Sequence, residues 1–168
     1  NYNNLGRKIL RLLSHAAKAT FFIRTFGFLK VPLIWYCKPK VLSISEDLVE
    51  VKIPLNRKTR NHVRSMYFGV LAVGADVTGA MIAMDIIKKS NRKINLLFKD
   101  FNADFLKRAE GDVHFICKDG KKITEMIEKV IESQKRVNQS IEVLAYVPEK
   151  FKSEPVARFT LTLSLKEY

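Results

Sequence analysis

The sequence predicts an α+β protein in which an antiparallel sheet wraps around one long central helix. Two observations carry this prediction. A continuous apolar segment near residues 67–89 is too long for a strand, and the segments around it alternate apolar and polar residues between turn signals. Strands joined mainly by short turns around one apolar helix are typical of this class. We expect an N-terminal helical extension at 1–30 and a single domain at 31–168, because a chain of 168 residues buries roughly two-thirds of its unfolded surface.

The first element is an amphipathic helix predicted at 4–26. The basic residues Arg7, Arg11, His15 and Lys18 share one face, and apolar residues occupy the other angles. The helix is expected to pack on the domain with its basic face in water. The alternative is a membrane-surface helix, because the segment is basic, free of acids and rich in Phe and Leu. Basic residues interrupt every long apolar run, which argues against a signal peptide or a spanning segment.

The hydrophobic period changes after residue 31. Residues 33–45 and 47–54 are rich in β-branched and aromatic side chains and predict two strands, with a turn at Glu46-Asp47. A polar loop follows Pro54 and leads into the long apolar segment.

The apolar segment predicts a buried helix rather than a transmembrane one. Asp76 stands near its centre, where a carboxylate would cost about 3 kcal/mol to insert into a bilayer. Ala75, Gly79 and Ala83 recur every four residues and form a stripe of small side chains that a curved sheet can approach closely. The cationic sequence "KKSNRK" marks the C-terminal end of this helix.

The remaining segments predict one more helix and four more strands. The helix, at about 121–138, carries a single apolar stripe and is otherwise charged. The strands are expected at 94–109, at 111–120 after a turn at Glu110-Gly111, at 140–147 and at 156–168.

Charge and cysteine content limit the partners. The net charge is +13, residues 1–60 carry 12 basic and 3 acidic residues, and no acid precedes Glu46. Such a surface attracts anionic lipid, nucleic acid or a phosphate-bearing ligand. No nucleic-acid-binding motif is present, so nucleic-acid binding is not expected. Cys37 and Cys117 have no metal-ligand spacing, so we expect no metal site and two reduced, buried thiols in a cytoplasmic protein.

Two motifs link the chain to a known family. Starting at Asn61 the chain reads "NHVRSMYFGVLAVGAD", and residues 104–113 read "DFLKRAEGDV". Both resemble motifs of the hotdog-fold acyl-CoA thioesterases, particularly the phenylacetyl-CoA thioesterase type, and the resemblance covers residues 33–168. In that family an Asn precedes a His-Gly-Gly turn that opens the central helix, and an acidic residue follows two turns later. Asn61, Gly69 and Asp76 match these positions.

The resemblance implies a hotdog fold, a homodimer, an acyl-CoA substrate and no cofactor other than the CoA moiety of the substrate. The pattern as a whole is similar to an uncharacterised branch of the superfamily. Three positions depart from it. Tyr67 stands where His is usual, Phe68 replaces the first glycine of the turn, and Arg64 replaces an upstream glycine. The first two changes crowd the turn that admits the thioester carbonyl.

The three matched residues suit thioester hydrolysis, which needs a base or nucleophile and a donor for the oxyanion. The Gly69 amide at a helix N-terminus is a candidate donor, Asp76 a candidate base or nucleophile, and Asn61 a polar orienting group. Asp76 lies about two turns, or ~10.5 Å, beyond Gly69, so one carbonyl cannot reach both. Two antiparallel helices about a dyad would pair Asp76 of one subunit with Gly69 of the other, which favours a shared site. The alternative for Asp76 is a structural acid paired with a basic neighbour.

Further residues are candidates for substrate binding. Tyr67, Phe68 and His62 are expected beside the thioester, with aromatic packing and a loop hydrogen bond as the alternatives. Lys107 and Arg108 are expected to meet the CoA phosphates, with a solvated basic face as the alternative. The basic residues of the loop at 57–60 are expected to take part in the same phosphate contacts.

For the remaining candidate residues the alternative is a purely structural role. Met66, Phe101 and Phe105 are expected to hold the acyl chain or to form the core. His15 and His114 have no partner at catalytic or metal spacing. Asp85 is expected to face solvent or the helix end.

The predicted function is therefore hydrolysis or binding of acyl thioesters, carried by CoA or by an acyl carrier protein, at a site shared across a dimer that can pair into a tetramer. The alternative is a non-catalytic hotdog protein that binds acyl chains or touches a membrane through its basic N-terminal helix.

Overall fold

The computed structural model describes residues 14–168, which contain five helices and six strands. The helices are α1 (His15–Lys30), α2 (Pro32–Cys37), α3 (Phe68–Ser90), α4 (Gly120–Ser133) and α5 (Pro148–Phe151). The strands are β1 (Lys40–Ile44), β2 (Val49–Ile53), β3 (Ile94–Phe105), β4 (Val113–Cys117), β5 (Val137–Tyr146) and β6 (Pro155–Glu167). The part of the predicted N-terminal helix that precedes residue 14 lies outside the described residues.

All six strands form one antiparallel sheet in the order β1-β2-β4-β5-β6-β3. Strand β3 lies at one edge and pairs with β6 along its whole length. The segment 106–112 therefore carries the chain from this edge to β4 in the middle of the sheet. The predicted α+β class, with an antiparallel sheet around a long central helix, is confirmed.

The central helix α3 packs against the sheet through its small residues. A Cβ on Gly74 would lie 2.2 Å from the Phe115 ring of β4, and a Cβ on Gly79 would lie 2.8 Å from Cδ1 of Ile141 on β5. Ala75 and its neighbours on the same stripe are fully buried. The helix backbone thus lies closer to the sheet than larger residues would allow, as the predicted stripe requires.

Helix α3 is the one helix among residues 14–168 that is long and apolar enough to cross a membrane. In its most apolar window 67% of the residues are buried inside the fold. Its apolarity is therefore accounted for by its place in the core.

The predicted strand at 33–45 is wrong in its first half. Residues 32–37 form α2, and only Lys40–Ile44 form β1. Pro32 occupies the first helical turn, where its missing N–H costs nothing, and Lys38 ends the helix in a left-handed conformation with φ 53°. Ile34 and Cys37, three residues apart, are the buried pair of this short helix.

Three other boundaries differ from the prediction. Helix α1 continues to Lys30 rather than 26, and strand β3 stops at Phe105 rather than 109. Helix α4 stops at Ser133 rather than 138, because Gln134 adopts a left-handed conformation and its N–H donates to the Val130 carbonyl.

Helix α1 is fastened to the sheet and to α2. Ala19 and Ile23 are buried, and the Val41 N–H of β1 donates to Thr20 Oγ1 at 2.9 Å. A Cβ on Gly27 would lie 2.7 Å from the Trp35 backbone nitrogen, so α1 and α2 cross with their backbones in contact. This packing holds one face of α1 over the middle of α3.

Candidate active site

A cavity of about 940 Å³ lies between α1, α3 and β3, and we call it the α1–α3 cavity. Its α3 wall begins at Asp76 and continues to Asn91, which corresponds to a length of ~22 Å along the helix. The apolar part of its lining includes Phe22, Ile23, Phe26, Ile34, Val77, Ala80, Met81, Met84, Ile87, Leu96 and Phe98. A long apolar cavity with a carboxylate at one end has the form of a site for an amphipathic ligand.

Asp76 is the carboxylate at the N-terminal end of the α3 wall of this cavity. Its side chain has neither a hydrogen bond nor an ion pair with any residue between 14 and 168. Burial raises the pKa of Asp76 from 3.8 to about 6, because the surroundings solvate the charged form poorly. The basic neighbour that would have made it a structural acid does not occur within this part of the chain. A carboxylate near neutrality, open to a cavity, can exchange a proton with a bound molecule.

Asp85 lines the same cavity but is paired. Its Oδ2 lies 3.0 Å from Lys89 Nζ, and its Oδ1 lies 3.4 Å from Nε2 of His15. Of the two expectations for Asp85, solvent or the helix end, the second fits its pair with Lys89 in the last turn of α3, and its side chain is only 20% exposed. His114, too, has an acidic partner, with Nδ1 2.7 Å from Glu50 Oε1 across the β2–β4 pair. Sequence spacing did not show the contacts His15–Asp85 and His114–Glu50, because each of these two pairs joins distant parts of the chain.

The start of α3 exposes the amide that was predicted to bind the oxyanion. Tyr67 is the N-cap residue and Phe68 the first helical residue, and the Gly69 N–H has no acceptor among the described residues. Neither Tyr67 nor Phe68 has a positive φ, so this turn does not require glycine at either position. Their exposed rings contact each other with centroids 4.8 Å apart.

The Tyr67 ring leans over Gly69. A Cβ on Gly69 would lie 2.6 Å from Tyr67 Cε1, so the ring occupies the space directly beside this glycine. The crowding expected from the sequence departure at this turn is therefore present. Phe68 points its ring into solvent beside it.

The side chain of Asn61 makes its hydrogen bonds inside the loop before α3. Its Oδ1 accepts from the N–H groups of Val63 and Ser65, each at 3.1 Å, and its Nδ2 donates to Ser65 Oγ at 3.2 Å. Arg64, within this turn, adopts φ 62°, a conformation that favours glycine. The structure thus explains why a glycine is usual at Arg64. A role for Asn61 or the exposed His62 in orienting substrate stays a prediction.

The two predicted phosphate ligands lie close to this loop. Arg108 donates to the Val63 carbonyl and lies 3.1 Å from Glu110 Oε1, whereas Lys107 pairs with Glu154. Both cations therefore have an acidic partner, and their predicted role stays untested.

The loop and the segment after β3 are joined by their backbones. The Met66 N–H donates to the Ala109 carbonyl at 2.8 Å. The exposed cations Arg57, Lys58 and Arg60 of the loop thus share the N-terminal end of α3 with Lys107 and Arg108.

The residues expected to hold an acyl chain have different positions. Met66 is buried, and Phe101 and Phe105 contact Phe159 but stay exposed on the free edge of the sheet. None of the three lines the α1–α3 cavity. The apolar wall of the cavity instead includes the inner face of α1, which the sequence predicted to be part of an N-terminal extension. The apolar face of the predicted N-terminal helix was the sequence feature that could have indicated this.

The far end of the cavity carries unpaired cations. Lys18, Lys88 and Lys93 line it and form no ion pair with any residue of the described chain. Lys88 Nζ lies 5.5 Å from the centroid of the Phe22 ring, so its stem follows the apolar wall. Residues 14–168 contain no group of three or more side chains that could hold a metal ion.

Solved structures share this architecture. A Chlorobaculum tepidum protein of unknown function superposes with a TM-score of 0.78 at 14% identity, covering 91% of this chain and 97% of that one. A Pseudomonas aeruginosa protein described as a probable thioesterase gives 0.71 at 20% identity, covering 89% and 96%. A Haemophilus influenzae thioesterase gives 0.61 at 14% identity, covering 80% and 82%. None of the curated proteins matches the chain.

The sheet order, the central helix and these likenesses define the class: the protein has a hotdog fold. Within that class the chain belongs to the DUF4442 family, a domain of unknown function, whose match covers residues 19–165.

Proposed function

We propose that the protein hydrolyses acyl thioesters, with CoA or an acyl carrier protein as the leaving group. The observation that carries this proposal is Asp76, a carboxylate that lines an apolar cavity, has no partner among residues 14–168 and has a pKa of about 6. A base with this pKa is largely deprotonated at neutral pH and can still accept a proton.

The chemistry needs one base and one donor. Ionised Asp76 removes a proton from a water molecule as the water oxygen attacks the thioester carbonyl carbon. The carbonyl oxygen becomes an oxyanion that accepts from the Gly69 N–H. Collapse of the intermediate re-forms the carbonyl and breaks the carbon–sulfur bond, and the thiolate takes the proton that Asp76 received. The products are a fatty acid and the free thiol.

The two groups come from different subunits in this proposal. Within one chain Gly69 and Asp76 are ~10.5 Å apart along α3. Strand β3 is a 12-residue edge strand with one side unpaired by the described chain, and Phe101 and Phe105 are exposed on it. Pairing of two such strands about a dyad would extend the sheet and set the two α3 helices antiparallel. A homodimer, or a tetramer of two dimers, follows.

The acyl chain would occupy the α1–α3 cavity. The cavity lies on the C-terminal side of Asp76, and its volume of about 940 Å³ is near the upper end of the ~300–1,000 Å³ range of ligand sites. A long acyl chain therefore fits better than a short or aromatic one. The CoA phosphates would meet the cations at the N-terminal end of the partner's α3, where Lys107 and Arg108 join the basic loop.

The test is steady-state hydrolysis of an acyl-CoA series by the wild type, Asp76→Asn and the matched variant Asp85→Asn. Asp76→Asn keeps the shape of the side chain and removes the base, so kcat should fall by ~10²–10⁴-fold. Asp85→Asn changes an acid on the same cavity wall and should leave kcat within about three-fold. Equal rates for the wild type and Asp76→Asn, or no turnover of any acyl-CoA, contradict the proposal.

A second candidate is binding without hydrolysis. The observation that favours it is the Tyr67 ring, which occupies the space beside Gly69 and crowds the turn that would receive the thioester carbonyl. A non-catalytic protein would bind a long-chain acyl-CoA stoichiometrically in calorimetry and release no free thiol. Detection of thiol with the wild type excludes this candidate.

We also propose that the protein is cytoplasmic. Cys37 and Cys117 are both free and buried, as expected for reduced thiols, and CoA and acyl carriers are available in that compartment. Fractionation of cells that express the tagged full chain tests this assignment.

A further inference from the structure

The surface of α1 and α2 that faces away from the cavity carries large apolar side chains. Phe28, Leu29 and Leu33 are 63%, 67% and 58% exposed, and Trp35 and Tyr36 are each nearly half exposed. We call α1, Val31 and α2 together the hairpin and these five residues the hairpin surface. Soluble proteins rarely leave so many large apolar side chains exposed around one turn without a partner.

The five side chains are held together by the packing of the two helices. The rings of Phe28 and Trp35 contact each other edge to face with centroids 5.7 Å apart. Leu29 and Leu33 lie two residues on either side of Val31, the single residue that joins α1 to α2. Gly27 lets the helix backbones touch, and the apolar side chains around the turn between them stay exposed.

The charges around the hairpin surface all have one sign. Between residues 14 and 45 there are five cations and no acid. Arg24, Lys30, Lys38 and Lys40 are exposed near the turn, and Lys58 Nζ lies 5.2 Å from the centroid of the Tyr36 ring. A second copy of the same surface would bring these cations together, so self-association is disfavoured. The complementary partner is anionic and accepts apolar side chains.

We propose that the hairpin surface docks on a bilayer that contains anionic lipid. Aromatic Trp and Tyr beside aliphatic side chains suit the interface between headgroups and acyl chains, and the surrounding Lys and Arg match a negative surface potential. The predicted membrane contact of the N-terminal segment is thereby assigned to specific side chains on the turn between α1 and α2. This docking does not depend on thioester hydrolysis.

The location of the cavity gives the docking a consequence. Val31 and Ile34 belong to the hairpin and line the α1–α3 cavity, as do Phe22 and Phe26 on the inner face of α1. The hairpin therefore separates the cavity from the docked bilayer. An acyl chain leaving the bilayer would pass this hairpin to reach Asp76.

The experiment is flotation of the full chain with vesicles of phosphatidylcholine, with and without phosphatidylglycerol. We expect the bound fraction to rise by about ten-fold or more with the anionic lipid and to fall with added salt. Leu29→Ser combined with Leu33→Ser should remove most of the binding, and so should Lys30→Glu combined with Lys40→Glu. Circular dichroism melting confirms that each variant folds.

Two control variants carry the same changes elsewhere. Leu106→Ser with Val63→Ser removes two exposed apolar side chains outside the hairpin, and Lys129→Glu with Lys135→Glu reverses two exposed cations in and after α4. Both controls should bind like the wild type. Equal loss in the controls, or no flotation of the wild type with anionic vesicles, overturns the proposal. Self-association that is lost with the two Leu changes, without vesicle binding, assigns the surface to a second copy and also overturns it.

Discussion

Asp76 and Asp85 lie nine residues apart on α3 and line one cavity, yet among residues 14–168 only Asp85 has basic partners. Burial without a partner raises the pKa of Asp76 to about 6. The pairing of Asp85 with Lys89 and His15 leaves its neighbour as the one carboxylate of this wall that is free to react within the described chain. The two acids therefore serve as a matched pair in the tests that follow.

The first prediction concerns the pH dependence of hydrolysis. If ionised Asp76 is the base, kcat should rise with pH and reach half its maximum near pH 6. The residual rate of Asp76→Asn should show no such step. Initial rates with one acyl-CoA between pH 4.5 and 8 measure both profiles, and a wild-type profile without a limb near pH 6 argues against Asp76 as the base.

The second prediction concerns stability. The folded-state pKa of Asp76 lies above its usual value of 3.8, so the folded state binds the proton more tightly than the unfolded state. The wild type should lose stability as the pH rises from about 4 to above 6. Asp76→Asn lacks this loss and should be more stable by up to about 3 kcal/mol at pH 8, at about 1.4 kcal/mol per pKa unit. The difference should vanish near pH 4.

Urea unfolding of the wild type, Asp76→Asn and Asp85→Asn at pH 4, 6 and 8 measures this difference. Asp85→Asn breaks an existing pair and should not stabilise the protein at any pH. A constant difference between Asp76→Asn and the wild type would show that the carboxylate is not desolvated.

The third prediction concerns the length of the acyl chain. Met84 lines the α1–α3 cavity two turns beyond Asp76, so Met84→Trp should fill it. The variant should lose about ten-fold or more in kcat/KM for palmitoyl-CoA and little for butyryl-CoA, because only a long chain reaches this turn. Leu106→Trp, at an exposed position outside the cavity, is the control. An equal loss with both substrates places the acyl chain elsewhere.

The fourth prediction concerns the altered turn at the start of α3. Tyr67→His removes the phenol ring that leans over Gly69 and restores the residue type usual in the thioesterases that the motif resembles. Access to the Gly69 N–H should improve, and kcat should rise by about ten-fold or more if this amide binds the oxyanion. Phe68→His, at the neighbouring exposed ring, should have a smaller effect. A lower kcat for Tyr67→His would assign the ring to substrate binding instead.

The fifth prediction concerns the contact between α3 and the sheet. A Cβ at Gly74 would overlap the ring of Phe115, which is fully buried and cannot move aside. Gly74→Ala should therefore destabilise the protein by about 2–3 kcal/mol. At Gly79 the nearest atom is the flexible end of Ile141, so Gly79→Ala should be close to neutral, with the better helix propensity of Ala offsetting the contact. Denaturant unfolding compares the two, and similar losses would contradict this difference.

The sequence was sufficient for the parts of the fold that depend on local pattern. The length and small-residue spacing of α3 predicted a helix enclosed by a sheet, and the alternation of β6 predicted its strand. The sequence-based prediction was wrong where local strand propensity competed with the start of a helix. The aromatic segment after residue 32 has strand-like composition, but Pro32 starts a helix there and burial of Ile34 and Cys37 stabilises it.

The site was less predictable than the fold. Asp76 stood out because a charge interrupts an apolar helix, and the free Gly69 amide follows from the position of the helix start. The cavity did not stand out, since its walls come from α1, α3 and β3, which meet only in the folded chain. The ion pairs of His15 and His114 were also missed, because their partners are far away in sequence.

Strand β3 contains one extra residue, Lys99, between Phe98 and Asp100 in its pairing with β6. Leu96 and Phe98 before this bulge pair with the buried Leu165 and Leu163, and after it the odd-numbered residues pair with the buried Leu161, Phe159 and Ala157. Because the bulge absorbs Lys99, Phe98 before it and Phe101 and Phe105 after it lie on the same face of the sheet. A deletion of Lys99 alone would leave the pairing of all these residues unchanged but would remove the bulge and the extra twist that it gives to the strand. The twist of this sheet edge is therefore set by one inserted residue, and variants of the chain that lack it should change the way in which two copies can join.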